Sequence, residues 1–215
     1  LYVGGWNHFF LRKPDLVLIL MIITLLSDIG SIEYGSMFPI LHTLKNGREP
    51  VVRAKLRVGA LASAMLGAVF SMIDVVFICF NYGLSCPRAP IASLMELDAL
   101  QKLSICAAAV VSVLLQAAGC AVISNVVVCL SVVLRRSSLA MALTALSVVL
   151  PYIFDVGYGG VCGLIDGHTL LLSLLEHGRS LPRFLSAAAC LVLLAAVSVA
   201  CVIASNRLWR KRSEK

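Results

Sequence analysis

The stretch IEYGSMFPILHTLKNGREPVVRAKLR, residues 32–57, decides how this chain is read. It holds the cations Lys45, Arg48, Arg53, Lys55 and Arg57 against two acids, Glu33 and Glu49. Apolar runs long enough to cross a bilayer flank it on both sides. A basic segment between two spans marks the cytoplasmic side of a membrane protein. That segment sets an orientation for the rest of the chain, and it is where a cytoplasmic partner would have to push.

Working outward, composition agrees. Of 215 residues, 60% are hydrophobic and 13% charged, and the mean hydropathy is +0.97. A soluble domain is nearer half apolar and about a quarter charged, so a soluble globular protein is not expected. A net charge of +7 would suggest nucleic acid as a partner for a soluble chain. Here the cations cluster at the ends of apolar runs, so topology accounts for them and no nucleic acid is expected.

The expected fold class is all-α: a polytopic transmembrane helical bundle forming a single permease domain over residues 1–215. About five spans are read, at 16–34, 58–82, 103–134, 139–154 and 184–204. Pro14 and Asp15 mark the start of the first. The third has no formal charge and, as a straight helix, exceeds the roughly 30 Å hydrocarbon core, so it must tilt, break or extend past the membrane. Pro151 predicts a kink near the end of the fourth. With 42–57 inside and the spans alternating, Arg135, Arg136 and the tail cations Arg207, Arg210, Lys211, Arg212 and Lys215 also fall inside. Arg12, Lys13, Arg88, Lys102, Arg179 and Arg183 fall outside, a two-to-one bias toward the inner face. The C-terminus is then cytoplasmic. The segment 155–183, rich in glycine and too interrupted to span, reads as an outer re-entrant or interfacial helical hairpin, with an ordinary extracellular loop as the competing reading. Gly83 to Lys102, with Pro87 and Pro90, reads as a short ordered outer cap. The opening residues LYVGGWNHFFLRKPD read as a connector, with an upstream span expected before them.

Charges inside spans cost roughly 3 kcal/mol each, so each needs a reason. Asp28 and Glu33 fall in the cytoplasmic half of the first span, Asp74 in the outer half of the second, and Asp155 at the outer end of the fourth. Gln116 and Asn125 are the polar residues singled out in the third. Helix-to-helix hydrogen bonding is the simpler role for these residues, and a proton relay at Asp28 or Asp74 the sharper one. Glu33 is placed to pair with Lys45 or Arg48. Two stripes of small residues run down the second span, Ala60–Ala64–Ala68 and Ser63–Gly67–Ser71; Ala196 and Ala200 repeat the spacing in the last. Such spacing lets helices approach closely in lipid.

The eight cysteines form no CxxC pair, and a Cys86–Cys162 disulfide on the outer side stays open. No HExxH, GxSxG or P-loop motif occurs, so neither an enzyme nor ATP hydrolysis by this chain is expected. No cofactor or metal site is implied.

Glu33, Gly35, Leu41, Thr43, Gly47, Arg48, Ala54 and Lys55 form the pattern E-x-G-x5-L-x-T-x3-G-R-x5-A-K. This resembles the region after the second helix of the membrane subunits of ATP-binding-cassette exporters, the six-helix bacterial permease class. The outer proline-bearing loop, the glycine-rich segment before the last helix and the basic tail resemble that class as well. The resemblance implies a permease that pairs with a second permease copy, identical or related, and binds a cytoplasmic ATP-binding subunit. It implies that His42 to Arg57 form the coupling segment touching that subunit. Glu33, Gly35, Thr43, Lys45, Gly47, Arg48, Arg53 and Lys55 are then the coupling residues, with Arg48 and Lys55 gripping carbonyls, acidic partner residues or phosphates of membrane lipid. The chain departs from the class in lacking its first helix. The competing reading is an integral membrane immunity or interaction protein that transports nothing.

Overall fold

The computed structural model describes residues 3–10, 16–31, 49–83, 86–91, 104–134, 136–153, 171, 192, 195–204 and 207. Among these the chain is helical: α1 (Val3–Phe10), α2 (Leu16–Ser31), α3 (Glu49–Tyr82), α4 (Ile105–Leu134) and α5 (Ser137–Ile153), followed by α6 (Ala195–Ala204).

Local chemistry explains the ends. Pro50 sits in the first turn of α3, where its missing N–H costs nothing, and no proline follows before Tyr82. Gly83 closes α3 in a left-handed conformation (φ 71°), its N–H donating to the Cys79 carbonyl at 3.1 Å. A glycine just past the last helical residue takes this backbone without a Cβ penalty. Ser104 caps α4, its Oγ accepting the Ala107 N–H at 3.3 Å. The next orphan donors meet the turn at 86–91: Ile105 N–H donates to the Ala89 carbonyl at 3.0 Å and Cys106 N–H to the Pro87 carbonyl at 3.1 Å. That turn is thus a polar lid on the α4 terminus.

Two expectations change here. The basic segment and the following apolar run were separated at residue 57, yet α3 passes from Glu49 to Tyr82 without a break. Lys and Arg are good helix formers, so a run of cations ends the apolar stretch without ending the helix. Of the outcomes open to the third apolar run, a break is excluded, since α4 is continuous for 30 residues, about 45 Å. The opening connector contains a helix, α1, whose Trp6, Phe9 and Phe10 are buried. Pro151 lies in the last turn of α5 and the helix continues to Ile153.

α4 is the hub, packing most extensively on α3, then on α2 and α5. Paired positions give the directions. A Cβ on Gly59 would meet Ser124, and one on Gly67 would meet Cys120, while Ser71 bonds Gln116. Numbers rise on α3 as they fall on α4, so the two are antiparallel. Ser131 bonds the Ser27 carbonyl and Lys55 the Ile29 carbonyl, so α2 runs with α4 and against α3. α5 begins two residues after α4 and packs on both α2 and α4, so the chain doubles back.

Two apolar clusters result. One joins Leu18, Ile19, Ile22, Ile23 and Leu26 of α2 to Leu56 of α3 and to Ile123, Val127, Val128 and Val132 of α4. The other, at the far end of the bundle, joins the α1 aromatics to Ile78, Ile91, Ile105, Ala108 and Leu171. Gly5 lets α1 seat there, because a Cβ would lie 2.5 Å from the Gly83 carbonyl oxygen.

Polarity is reversed along α3. Its buried stripe is Gly59, Ser63, Gly67 and Ser71. Its outward stripe is Val58, Leu61, Met65, Val69, Met72, Ile73, Val76, Phe77 and Phe80, all exposed. That stripe is about 33 Å long at 1.5 Å per residue. α3 from Arg53 and α4 are both long and apolar enough to cross a membrane, yet only 22% and 44% of their apolar windows are buried. The core helix of a water-soluble protein would be mostly covered.

Candidate functional site

Two features of the bundle combine polar chemistry with position: the basic end of α3 and a seam of small polar residues along α4.

At the basic end, Arg53, Lys55 and Arg57 occupy the first turns of α3, one face carrying Arg53 and Arg57 four residues apart. Lys55 is half-buried and donates from Nζ to the Ile29 carbonyl at 2.6 Å. A cation at a helix C-terminus satisfies a carbonyl without an intrahelical partner and meets the negative end of the helix dipole. Lys55 therefore grips a carbonyl, one of the roles its position suggested, and the carbonyl belongs to α2 of the same chain. Lys55→Met keeps much of the aliphatic stem and removes the charge. It is expected to lower stability by about 1–2 kcal/mol, read as a lower melting temperature in detergent. Glu33, Gly35, Thr43, Lys45, Gly47 and Arg48, and with them the expected Glu33 pairing, lie outside the described residues.

Beside Lys55, Arg53 and Arg57 are exposed and line a cavity of about 410 Å³ with Leu56, Ala60, Asn125 and Val202. Its walls come from α3, α4 and α6. α6 is tied there by Asn125, whose Nδ2 donates to Ser198 Oγ at 2.9 Å.

The seam begins at this end and climbs the bundle. Ser131 Oγ donates to the Ser27 carbonyl at 2.6 Å. Ser137 Oγ lies 3.3 Å from Ser27 Oγ and bonds the Asp28 carboxylate. Asp28 is thus at the α2–α5 contact, exposed, and not inside the bundle. Ser124 Oγ is buried and unpaired, 3.1 Å from where a Cβ on Gly59 would sit. Further along, Ser71 Oγ donates to Gln116 Oε1 at 3.0 Å, both buried. Ser63 turns back on its own helix, donating to the Gly59 carbonyl at 2.9 Å, and leaves a smooth surface toward α4.

Removing the Ser71–Gln116 bond tests what such contacts weigh. Interhelical bonds of this kind average about 0.6 kcal/mol, so Ser71→Ala is expected to shift stability by less than about 1 kcal/mol. A double-mutant cycle with Gln116→Leu is expected to return a coupling of that size.

Asp74 lies near the opposite end. With Gly4, Asn7 and His8 of α1 and Ile73, Phe77, Ile78 and Tyr82 of α3 it lines a cavity of about 840 Å³. The His8 and Tyr82 rings stack there with centroids 4.4 Å apart. Lys55, which bonds the carbonyl next to Asp28, precedes Asp74 by about 28 Å along α3. Asp28 and Asp74 therefore cannot share a proton or an ion. Cys86 is an exposed free thiol at this far end, and Cys162 lies outside the described residues, as does nearly all of 155–183. Among the described residues no three His, Cys, Asp or Glu side chains gather to hold a metal.

Of the two small-residue stripes on α3, Ser63–Gly67–Ser71 is buried against α4, while Ala60, Ala64 and Ala68 are half-buried beside it. Ala196 and Ala200 of α6 are exposed. Residues that sequence reading passed over are Gly59, Ser27, Ser131, Ser137 and Ser198. Only Gly59 carried a signal, since it extends the Ser63–Gly67–Ser71 register by one turn.

Comparison with protein-family models, with curated proteins and with solved structures finds no match for this chain.

Proposed function

We propose that this chain is the membrane-spanning permease subunit of an ATP-driven exporter, moved by a separate cytoplasmic ATP-binding subunit acting on α3. One observation carries the reading: α3 is a single helix, basic in its first turns, with a 33 Å outward stripe of large apolar side chains behind them (about 1.5 Å per residue). Lipid is the solvent in which apolar-out and small-polar-in is favourable, and the stripe matches the roughly 30 Å hydrocarbon thickness. The alternating directions of α2, α3 and α4 support a multi-pass bundle of about five spans, with the α3 basic end and the C-terminus cytoplasmic.

The mechanism follows from rigidity. A push on Glu49 to Arg57 is delivered into the membrane without loss, because no hinge separates those turns from the span. Lys55 holds the end of α2 to α3, so the two helices move together. The glycine–serine seam toward α4 lacks interlocked large side chains, and α3 can shift along it at small cost. A second permease copy faces the first to complete the path. The substrate leaves toward the end carrying the Asp74 cavity and Cys86.

The test is topological and biochemical. With the other seven cysteines replaced by alanine, an impermeant maleimide is expected to label Cys86 in intact cells, and the signal to vanish when Cys86→Ser is added. A cysteine placed at Arg53 in that background is expected to label only after permeabilisation. Labelling of that position from outside overturns the coupling assignment. ATP-hydrolysing activity is expected to co-purify with the tagged chain and to be lost in Arg53→Glu; a chain that purifies without it favours the non-transporting alternative.

A further inference from the structure

We propose that the groove between α3, α4 and α6 is a binding site for an anionic phospholipid, its headgroup phosphate held by Arg53 and Arg57; this rests on the membrane reading of α3. Three features on one surface point to that occupant. The first is charge. Arg53 and Arg57 lie one helical turn apart on the same face, both at the groove. Each guanidinium is a fork that matches phosphate oxygens and keeps its charge at any accessible pH. Arg53 has another interaction within the chain, but five donors on one guanidinium serve a partner and a phosphate together.

The second is depth. Arg57 is followed directly by Val58, the first residue of the outward apolar stripe. The two cations therefore stand where hydrocarbon gives way to headgroups. A soluble phosphate compound would gain from the charges but nothing from what lies behind them.

The third is the wall. Leu56, Ala60 and Val202 give the groove an apolar side, and Asn125 adds one amide, itself held by Ser198. A volume of about 410 Å³ accepts a headgroup and the first carbons of its chains. Two fixed positive charges favour a headgroup of net negative charge over a zwitterionic one. A lipid seated there bridges the start of α3 to α6, so it would brace the same turns on which the ATP-binding subunit is proposed to act.

The purified full chain in detergent, titrated with phosphatidylglycerol and followed by native mass spectrometry, tests the site. One lipid adduct is expected, on the order of thirtyfold tighter than phosphatidylcholine from two cations near the surface. Excess inorganic phosphate is expected not to displace it. Arg53→Gln/Arg57→Gln is expected to abolish the preference. Ala60→Phe, which fills the groove and leaves both charges, is expected to do the same. Arg88→Gln, a surface cation at the far end, is expected to change nothing. Equal affinity for the two lipids, a preference that survives both groove variants, or displacement by inorganic phosphate overturns the proposal. Retention of the chain in membranes after alkaline carbonate washing separates the two readings. A retained chain without lipid preference refutes the site alone, and a released chain refutes the membrane reading beneath it.

Discussion

Gly67→Ala is expected to destabilise the bundle by about 1–3 kcal/mol, the usual result of forcing a methyl group into a packed interface. The added Cβ would lie 2.8 Å from Cys120 Sγ and 3.4 Å from Cys120 Cβ, inside van der Waals contact for the sulfur. Cys120 is fully buried and its sulfur sits only two bonds from the backbone Cα, so it can yield only by rotating within the seam. The alternative is separation of α3 from α4, which would also stretch the Ser71–Gln116 bond one turn away. Rescue distinguishes this account from a general intolerance of the helix to change. Alanine is the better helix former, so away from a contact the substitution would stabilise. Cys120→Ala removes the atom that clashes, and the double variant Gly67→Ala/Cys120→Ala is expected to melt above Gly67→Ala alone. A coupling of at least about 0.5 kcal/mol in that cycle supports direct contact, and simple additivity refutes it. Gly67→Leu, which no neighbour can accommodate, is expected to leave no monodisperse protein in detergent size-exclusion chromatography.

The same seam indicates what a sequence can and cannot disclose here. Helix ends marked by chemistry were legible: α3 stops at Gly83 and α2 begins after Pro14 and Asp15. The start of α3 was not legible, because apolarity reports what surrounds a helix and not where its hydrogen bonding begins. Cations at 53, 55 and 57 change the first without interrupting the second. Both stripes of small residues on α3 were visible, but two stripes one residue apart in register look alike until a partner helix selects one. α4 selects the serine–glycine stripe because Cys120 and Gln116 are the groups that meet it. The cross-links among Ser27, Ser131, Ser137 and Asp28 were hidden for a different reason. A serine is unremarkable in any span, and its role appears only when residues 104 or more positions apart in the chain come together. α1 was masked by its glycines: Gly4 and Gly5 are poor helix formers, yet Gly5 is needed where the helix touches the Gly83 carbonyl.

On the exporter reading proposed above, Val58→Pro is expected to abolish transport while leaving the chain in the membrane and bound to the proposed ATP-binding subunit. Val58 is 62% exposed on the outward face, so its side chain holds nothing inside the bundle and the effect must come through the backbone. Proline there removes the bond from residue 58 N–H to the Ala54 carbonyl and drives its ring against that carbonyl, at about 3 kcal/mol. The site falls directly between the basic turns and the apolar stripe. A kink would give α3 the hinge it lacks, and a push on Glu49 to Arg57 would bend the helix before it moved the span. Insertion should survive, since neighbouring helices and local adjustments re-satisfy a freed carbonyl in membrane proteins. The contact with Ile29 through Lys55 lies before the kink and should hold as well. Coupling is therefore the property singled out: ATP hydrolysis continues and substrate flux in reconstituted vesicles stops. Val58→Ala, which preserves the helix, is expected to transport normally. If Val58→Pro moves substrate at the rate of Val58→Ala, force does not pass along α3. The continuity of that helix would then serve only to pack the bundle.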